Sequence, residues 1–303
     1  MKIRLKLRSR LCQKKAFTLD VNDPAYYVTL GRELQNSQKL DDAIVVYRKA
    51  IQIDFNNADA YQGLGNALYG QNHLEEAIAA YQRAIQIDAN NSEAYSSLGN
   101  ALLDQKRFEE AIAAQRRSLQ INSKNIQAHT GLGNTFYAQK RLDLAINSFQ
   151  QALTLSDASK PPTSTHMVAY TGLGLALHDR KQLDQAITTY RKAIQLNAKY
   201  PWGYLYLGNS LSEQKRLTEA IVAYRQVLQL PNVKKPKSVS SHAIAHNGLG
   251  VVLQKQGKLE SAIQQYQQAL QSDLSCKEAQ QNLKQAKQLL AKQVQRKPKQ
   301  KSS

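Results

Sequence analysis

A Leu-Gly pair recurs along the chain at Gly31, Gly65, Gly99 and Gly133 with a constant step of 34 residues, then at Gly174, Gly208 and Gly250 after steps of 41, 34 and 42. The copy from Ala58 to Asn91, ADAYQGLGNALYGQNHLEEAIAAYQRAIQIDANN, shows the unit plainly, and seven copies share its register. Counted from seven residues before each glycine, position 7 is always leucine, position 20 always alanine and position 21 always isoleucine. Position 24 is aromatic in six copies (Tyr47, Tyr81, Phe149, Tyr190, Tyr224 and Tyr266) and is Gln115 in the third; position 27 is small except at Val227. A chain with such a period folds by adding units to an array rather than by enlarging one core.

Within a unit, Tyr61, Leu64 and Leu68, then Ala77, Ile78, Tyr81, Ala84 and Ile85, fall at the three- and four-residue spacings of two amphipathic helices, here called A and B. A polar turn from Gly70 to His73 separates them. Gly65 and Ala77 are the small residues expected where A and B approach closely. One hairpin cannot bury its own apolar face, so each copy needs neighbours on both sides.

The pattern of Leu-Gly, then Ala, aromatic and small residue at fixed phase over 34 residues resembles that of the tetratricopeptide repeat family across residues 24–276. The resemblance implies an all-α fold, a right-handed superhelical solenoid of antiparallel helix pairs, with repeats at 24–57, 58–91, 92–125, 126–159, 167–200, 201–234 and 243–276. Two departures stand out: the family's proline at position 32 is absent from every copy, where Phe55, Ala89, Ser123, Asp157, Ala198, Asn232 and Leu274 stand, and the aromatic at position 4 is often tyrosine or histidine.

Asp23-Pro24 is a helix start, with aspartate as N-cap and proline at the first helical position. Insertions at 160–166 and 235–242 both adjoin proline and both close on Ser/Thr and histidine, as STHMVAY and SSHAIAH. They read as spacers at the passage from B to the next A, with dedicated binding loops as the alternative. After Cys276, residues 277–295 show an apolar face of Ala279, Leu283, Ala286, Leu290 and Val294, the pattern of a capping helix, and Ser275 with Glu278 fits a capping box.

Charge divides unevenly. Of a net +18, residues 1–23 carry seven Lys/Arg against two Asp, and residues 277–303 carry eight against one Glu, leaving +6 for the repeats and their insertions. The N-terminal arm, 1–23, alternates Lys2, Arg4, Lys6, Arg8 and Arg10 with Ile3, Leu5 and Leu7. It reads as an unpinned tail, with a basic amphipathic contact or a transit peptide as alternatives, and residues 296–303 as a second basic tail. It lacks the apolar run of a secretory signal, and no stretch is long and apolar enough to span a membrane. Cys12 and Cys276, with no CxxC spacing, fit a reducing, cytoplasmic setting.

The chemistry-bearing residues do not converge. His242 and His246 share a helical spacing, with His166 in the equivalent insertion, but no third ligand is placed beside them, so no metal is expected. GLGNAL and GLGLAL lie inside repeat helices and follow no strand, unlike a phosphate loop. The acidic pairs Glu75-Glu76 and Glu109-Glu110 recur near the start of B, where the helix dipole favours them. No enzyme, cofactor or small-molecule substrate is expected.

The working surface that the resemblance implies is the concave face, lined by positions 2, 5, 6, 9, 12 and 13 of A. Position 9 supplies Asn66, Asn100, Asn134 and Asn209; position 12 supplies Tyr69, Tyr137 and His178; copy 6 adds Trp202 and Tyr206. An asparagine ladder offers donor and acceptor to an extended peptide backbone, and aromatic neighbours could anchor side chains. The plain alternative is that asparagine there only keeps the helix solvated. Gly63, Gly131, Gly172 and Gly248 at position 6 are expected to leave the groove open. The Lys/Arg clamp for a terminal carboxylate, found in chaperone-binding members, is missing. The leading expectation is thus a non-enzymatic scaffold for a protein or peptide partner. The alternative is an adaptor at an anionic surface, membrane or RNA, through Lys2, Arg4, Lys6, Arg8, Arg10, Lys234, Lys235 and Lys237.

Overall fold

The computed structural model describes residues 22–155, 164–234 and 238–296. They form fifteen α-helices and, among the described residues, no strand. The helices are α1 (Pro24–Asn36), α2 (Leu40–Ile53), α3 (Ala58–Gly70), α4 (Leu74–Ile87), α5 (Ser92–Asp104), α6 (Phe108–Ile121), α7 (Ile126–Ala138), α8 (Leu142–Thr154), α9 (Ser164–Asp179), α10 (Leu183–Leu196), α11 (Pro201–Glu213), α12 (Leu217–Leu228), α13 (Ser241–Lys255), α14 (Leu259–Ser272) and α15 (Lys277–Arg296). Contacts divide the chain into two compact units, Met1–Ala128 and His129–Ser303.

In the first unit α1, α3 and α5 are A helices, each packed on its own B helix (α2, α4, α6), and α2 and α4 also pack on the A helix that follows. Successive A helices touch one another, α1 to α3 and α3 to α5, so they make one continuous layer. The second unit repeats the scheme: α9, α11 and α13 form the A layer, α10, α12 and α14 sit behind, and α15 packs on α13 and α14 as a further A-like helix. The all-α architecture of helix pairs follows from the two amphipathic stripes per repeat.

Small residues set the spacing of the two layers. Ala43, Ala77, Ala111, Ala145, Ala186, Ala220 and Ala262, all at position 20, are fully buried. The aromatic at position 24 is a key driven between glycines. The ring of Tyr47 lies where side chains on both Gly31 and Gly63 would otherwise stand, at 2.6 and 2.3 Å from ideal Cβ positions. Phe149 fills the space between Gly133 and Gly172 in the same way, and Tyr224 that between Gly208 and Gly248. The expectation of an open groove at Gly63, Gly172 and Gly248 is therefore corrected: each glycine faces a ring from helix B, because a residue of that size must pass between two successive A helices to be buried.

The turns follow one recipe. Position 15, between A and B, has positive φ in all seven copies, at Gln38, Asn72, Lys106, Lys140, Lys181, Lys215 and Gly257. Only the last is glycine. After B, the Asx residue at position 31 turns the chain where the family's proline is missing. Asp54, Asp88, Asn122, Asn197 and Asp273 each accept from the backbone N–H two residues on. The next A helix then starts on an asparagine N-cap, as at Asn57, Asn91 and Asn125.

At the N-terminal end Asp23 accepts from Ala25 N at 2.8 Å, and Pro24 opens α1. At the other end the capping box of Ser275 and Glu278 does not form. Helix α15 begins at Lys277, and Ser275 Oγ turns back to donate to Asp273 Oδ1 at 2.6 Å. Asp273 outcompetes the helix terminus for that hydroxyl because it gathers Ser240 N, Ser275 N and Lys234 Nζ as well. The last residues of both insertions lengthen helix A: α9 starts at Ser164 and α13 at Ser241, capped by Ser240.

Candidate functional site: the A-helix face

The asparagines at position 9 are held from behind. Tyr81 Oη donates to Asn66 Oδ1 at 2.8 Å, and Tyr224 Oη donates to Asn209 Oδ1 at 2.7 Å. In the third repeat Gln115 replaces the tyrosine and does the same work with its amide. One hydrogen of Gln115 Nε2 goes to the Ser96 carbonyl at 3.1 Å, the other to Asn100 Oδ1 at 3.0 Å. A carbonyl accepts only, so the Gln115 orientation is set, and with it that of Asn100. In the fourth repeat the ring behind Asn134 belongs to Phe149, which has no hydroxyl to give.

This changes the chemistry expected of the ladder. The carbonyl oxygens of Asn66, Asn100 and Asn209 each accept a bond from behind, which fixes the amide orientation and turns the Nδ2 hydrogens outward as oriented donors. Asn66 and Asn209 are exposed, whereas Asn100, drawn inward by the shorter Gln115, is half-buried. The tyrosines behind them resist ionisation: burial pushes the hydroxyls of Tyr81 and Tyr224 well up from their ordinary value. In the first and seventh repeats, where position 9 is arginine and valine, the hydroxyl finds position 12. Tyr47 bonds to Gln35, and Tyr266 Oη donates to Gln254 Oε1 at 3.0 Å.

The aromatic residues at position 12 serve a second purpose. Tyr69 Oη donates to Asp104 of the next A helix at 2.6 Å, and Tyr137 Oη to Asp179 at 3.0 Å, where Lys140 Nζ joins the same oxygen at 3.3 Å. His178 Nε2 stands 3.1 Å from Glu213 Oε2 without aligned hydrogen-bond geometry, an ion pair only when the ring is protonated. Lys181 binds Glu213 at 2.7 Å and holds that carboxyl below the usual range. Tyr69 and Tyr137 thus staple one repeat to the next, leaving half-buried rings rather than free polar tips on the surface, and His178 is half-buried as well. Further rungs join position 9 or 5 to position 2 of the next helix, Arg32 to Asp59 at 3.1 Å and Gln62 to Glu93 at 3.2 Å.

Trp202 is 9% exposed, so it belongs to the floor of the second unit and not to its open surface. Its ring tilts on Tyr206 at 6.4 Å, and Tyr206 on Tyr190 at 5.7 Å. Sequence spacing located Trp202 at position 2 correctly but could not show that Val168 would be the exposed apolar residue at that position in the preceding repeat, at 41%. The position-24 hydroxyls were also missed as orienting groups. The readable signal was the pairing of tyrosine at 24 with asparagine at 9 or glutamine at 12 in the same copy.

The remaining candidates disperse. Lys2, Arg4, Lys6, Arg8, Arg10, Lys235 and Lys237 lie outside the described residues, and Lys234 is engaged by Asp273 at 2.8 Å. His242 Nε2 meets the Leu230 carbonyl at 2.8 Å and His246 Nδ1 meets Gln265 Oε1 at 3.0 Å, with burial lowering the His246 pKa. No group of three metal-ligating side chains occurs among the described residues. No described helix is long and apolar enough to cross a membrane.

Comparison with known proteins agrees with this architecture. The family profile described as TPR repeat matches residues 31–72, 65–106 and 174–215, and that described as tetratricopeptide repeat matches 90–158 and 200–275. The chain belongs to the tetratricopeptide repeat family, whose arrays are interaction scaffolds and typically not enzymes. A search of curated sequences returns no match.

Among solved structures, the APC/C hetero-tetramer Cut9-Hcn1 superposes with a TM-score of 0.70 at 18% identity over 77% of this chain. That match takes in 44% of the other chain, so the present chain spans less than half its length. PilF of Pseudomonas aeruginosa matches over 75% of this chain and 97% of its own, with a TM-score of 0.62 and 20% identity. YrrB, described as a TPR protein with an unusual peptide-binding site, covers 68% of this chain and 99% of its own at a TM-score of 0.51 and 21% identity. At these identities the likeness is one of fold.

Proposed function

We propose that this chain is a non-enzymatic scaffold whose A-helix face holds an extended segment of a partner protein. The observation that carries the reading is the fixed orientation of the position-9 amides. Asn66 and Asn100, one repeat apart in the first unit, and Asn209 in the second turn their oxygens toward helix B, so each offers hydrogens outward. Donors placed in this way suit the carbonyl oxygens of an extended backbone and do not read side chains. Half-buried rings supply apolar surface on the same face, Tyr69 in the first unit and Tyr137 and Tyr206 in the second.

The test combines chemistry and location. Asn66→Asp with Asn100→Asp keeps the side-chain shape but replaces donors by carboxylate, and is expected to weaken partner capture about tenfold or more, since it leaves backbone carbonyls facing charge. A photo-crosslinking residue at Leu103, on the A face, is expected to label the partner, and one at Val45, exposed on α2, is not. Equal labelling from both positions, or capture unaffected by the double substitution, would exclude this face as the binding surface.

A further inference from the structure

The B helices of the first unit carry three rows of side chains on their outer face. Asp41, Glu75 and Glu109 stand in the first turns of α2, α4 and α6, and eight residues after each come Lys49, Arg83 and Arg117. Midway between acid and base lie Val45, which is 67% exposed, and the exposed Ala79 and Ala113. In the second unit only α10 has the acid and the base together, as Asp184 and Lys192; α8, α12 and α14 carry Gln151, Gln226 and Gln268 in place of the base.

The helix dipole accounts for the acidic row and not for the basic one. None of α2, α4 and α6 has a basic residue in its last turn, where a cation would meet the dipole. Nor do the rows satisfy one another within a helix, since eight residues span about 12 Å and helical pairs form at three or four. The ion pairs that do form on this side, Arg48–Glu76 at 3.3 Å and Arg107–Glu110 at 2.7 Å, use other side chains. Lys49 enters no ion pair among the described residues, and Arg83 and Arg117 donate to glutamine oxygens, Gln86 Oε1 at 3.1 Å and Gln120 Oε1 at 3.2 Å. Asp41 accepts from the neutral amide of Gln71 at 2.7 Å.

Such a face is complementary to itself when turned end for end. A two-fold axis lying along the middle row sets each B helix antiparallel over its own copy. Asp41 then meets Lys49 of the second copy, Glu75 meets Arg83 and Glu109 meets Arg117, each pair twice, while the small residues on the axis let the helices approach. A polyanion fits the same face poorly, because the acidic row repels it beside the row that attracts it.

We propose that the outer face of α2, α4 and α6 pairs with the same face of a second copy of this chain, antiparallel and two-fold symmetric. None of its residues belongs to the asparagine ladder, so the two readings stand or fall separately. Each helix is about 21 Å long and about 10 Å wide, so three present about 600 Å2, under the about 800 Å2 per partner of a standard interface. The dimer is therefore expected to be reversible, with a Kd on the order of 10 μM.

Light scattering and sedimentation of the full chain measure it. Mass is expected to rise from monomer to dimer between about 1 and about 100 μM, a range that brackets this Kd. Raising sodium chloride from about 0.1 M to about 1 M, which shortens the screening length from about 10 to about 3 Å, should weaken the dimer about tenfold or more. Glu75→Arg with Glu109→Arg sets base against base, and Arg83→Glu with Arg117→Glu sets acid against acid, so each double variant should stay monomeric at about 100 μM. An equimolar mixture of the two should form a heterodimer, because every row of one then meets the opposite charge on the other. Each substitution changes the charge by two from +18, so both variants remain strongly positive and overall attraction cannot drive the mixing.

Disulfide cross-linking locates the axis. Chains carrying Ala79→Cys should be linked to each other through that position on mild oxidation, with the linked peptide identified by mass spectrometry. Chains carrying Gln86→Cys should not, since that position lies about 10 Å along the helix from the axis and about 20 Å from its own copy. Circular dichroism checks that each variant is folded. The proposal is overturned if the parent chain is monomeric at about 100 μM, about tenfold above the expected Kd, if either double variant dimerises as the parent does, or if their mixture stays monomeric. It is equally overturned if Gln86→Cys links as readily as Ala79→Cys. It also fails if the chain is monomeric and binds single-stranded RNA or phosphatidylserine vesicles in a way that Arg83→Glu with Arg117→Glu abolishes, since the basic row would then serve a polyanion.

Discussion

Replacing Gly63 by alanine tests the account of how the repeats are keyed together. Alanine is the better helix former by about 1 kcal/mol, so on propensity alone the change should stabilise α3. The structure predicts the reverse. A Cβ at this position would stand 2.3 Å from Tyr47 Cε1 and 2.4 Å from Cζ, more than 1 Å inside the contact distance of about 3.5 Å. The ring has little room to retreat, since the backbone of Gly31 lies on its other side, so close that a Cβ there would stand 2.6 Å from the ring, and the side chain is fully buried. Relief requires prising α3 from α1 and α2, an overpacking cost of about 1–3 kcal/mol with this site at the upper end. The net expectation is a loss of about 2 kcal/mol.

Gly70→Ala, in the last turn of the same helix, is the control, because its Cβ would meet only Leu40 Cδ1 at 2.9 Å, a terminal methyl free to turn. It is expected to be neutral or to stabilise by up to about 1 kcal/mol. Urea unfolding, with amide exchange in α1–α3 to localise the change, measures both variants. Equal midpoints would refute the keyed-ring account, because they would mean that the ring yields without separating the helices.

Three further outcomes follow from the same geometry. Lys106→Gly, at a turn position with φ of 62°, should stabilise by about 1 kcal/mol in thermal or urea unfolding, as strain in the left-handed region is removed; Gly257→Lys should lose a similar amount. Asp273 is held well below the ordinary carboxylate value, first by Lys234, then by Ser275 and Ser240. Its contribution is therefore complete above the unfolded value of about 3.9 and declines as pH falls below that. Amide exchange at Ser240 and Ser275 should speed up in acid, and Asp273→Asn should remove that pH dependence. Burial raises the hydroxyls of Tyr47 and Tyr266 to about 12. The neutral rings favour the folded state, so stability should be full below about pH 10 and decline as pH rises toward 12. Tyrosinate absorbance should then appear with loss of helix, and gradual ionisation of a fully helical chain would contradict it.

Much of the fold was legible because each repeat states its own pattern. The leucine at position 7, the alanine at position 20 and the aromatic at position 24 mark which side of each helix is buried, and Asp23-Pro24 marks where the first one starts. The candidate surface was legible only as a set of positions. Nothing in the local pattern told that Gly63 and Gly172 face rings from a preceding helix, or that Trp202 would be covered by its neighbours. The capping box at Ser275 failed for a similar reason: its hydroxyl had a stronger suitor in Asp273, which the chain draws together with Ser240 and Lys234 from residues more than thirty positions earlier.

From its sequence alone, this chain is a series of amphipathic helical hairpins of the tetratricopeptide kind, because periodicity and small-residue spacing are local quantities repeated seven times over. Which polar atoms stay available on the A face was decided only when the layers met. Where a tyrosine hydroxyl buried by packing takes the asparagine oxygen in front of it as acceptor, it turns the amide hydrogens toward a partner.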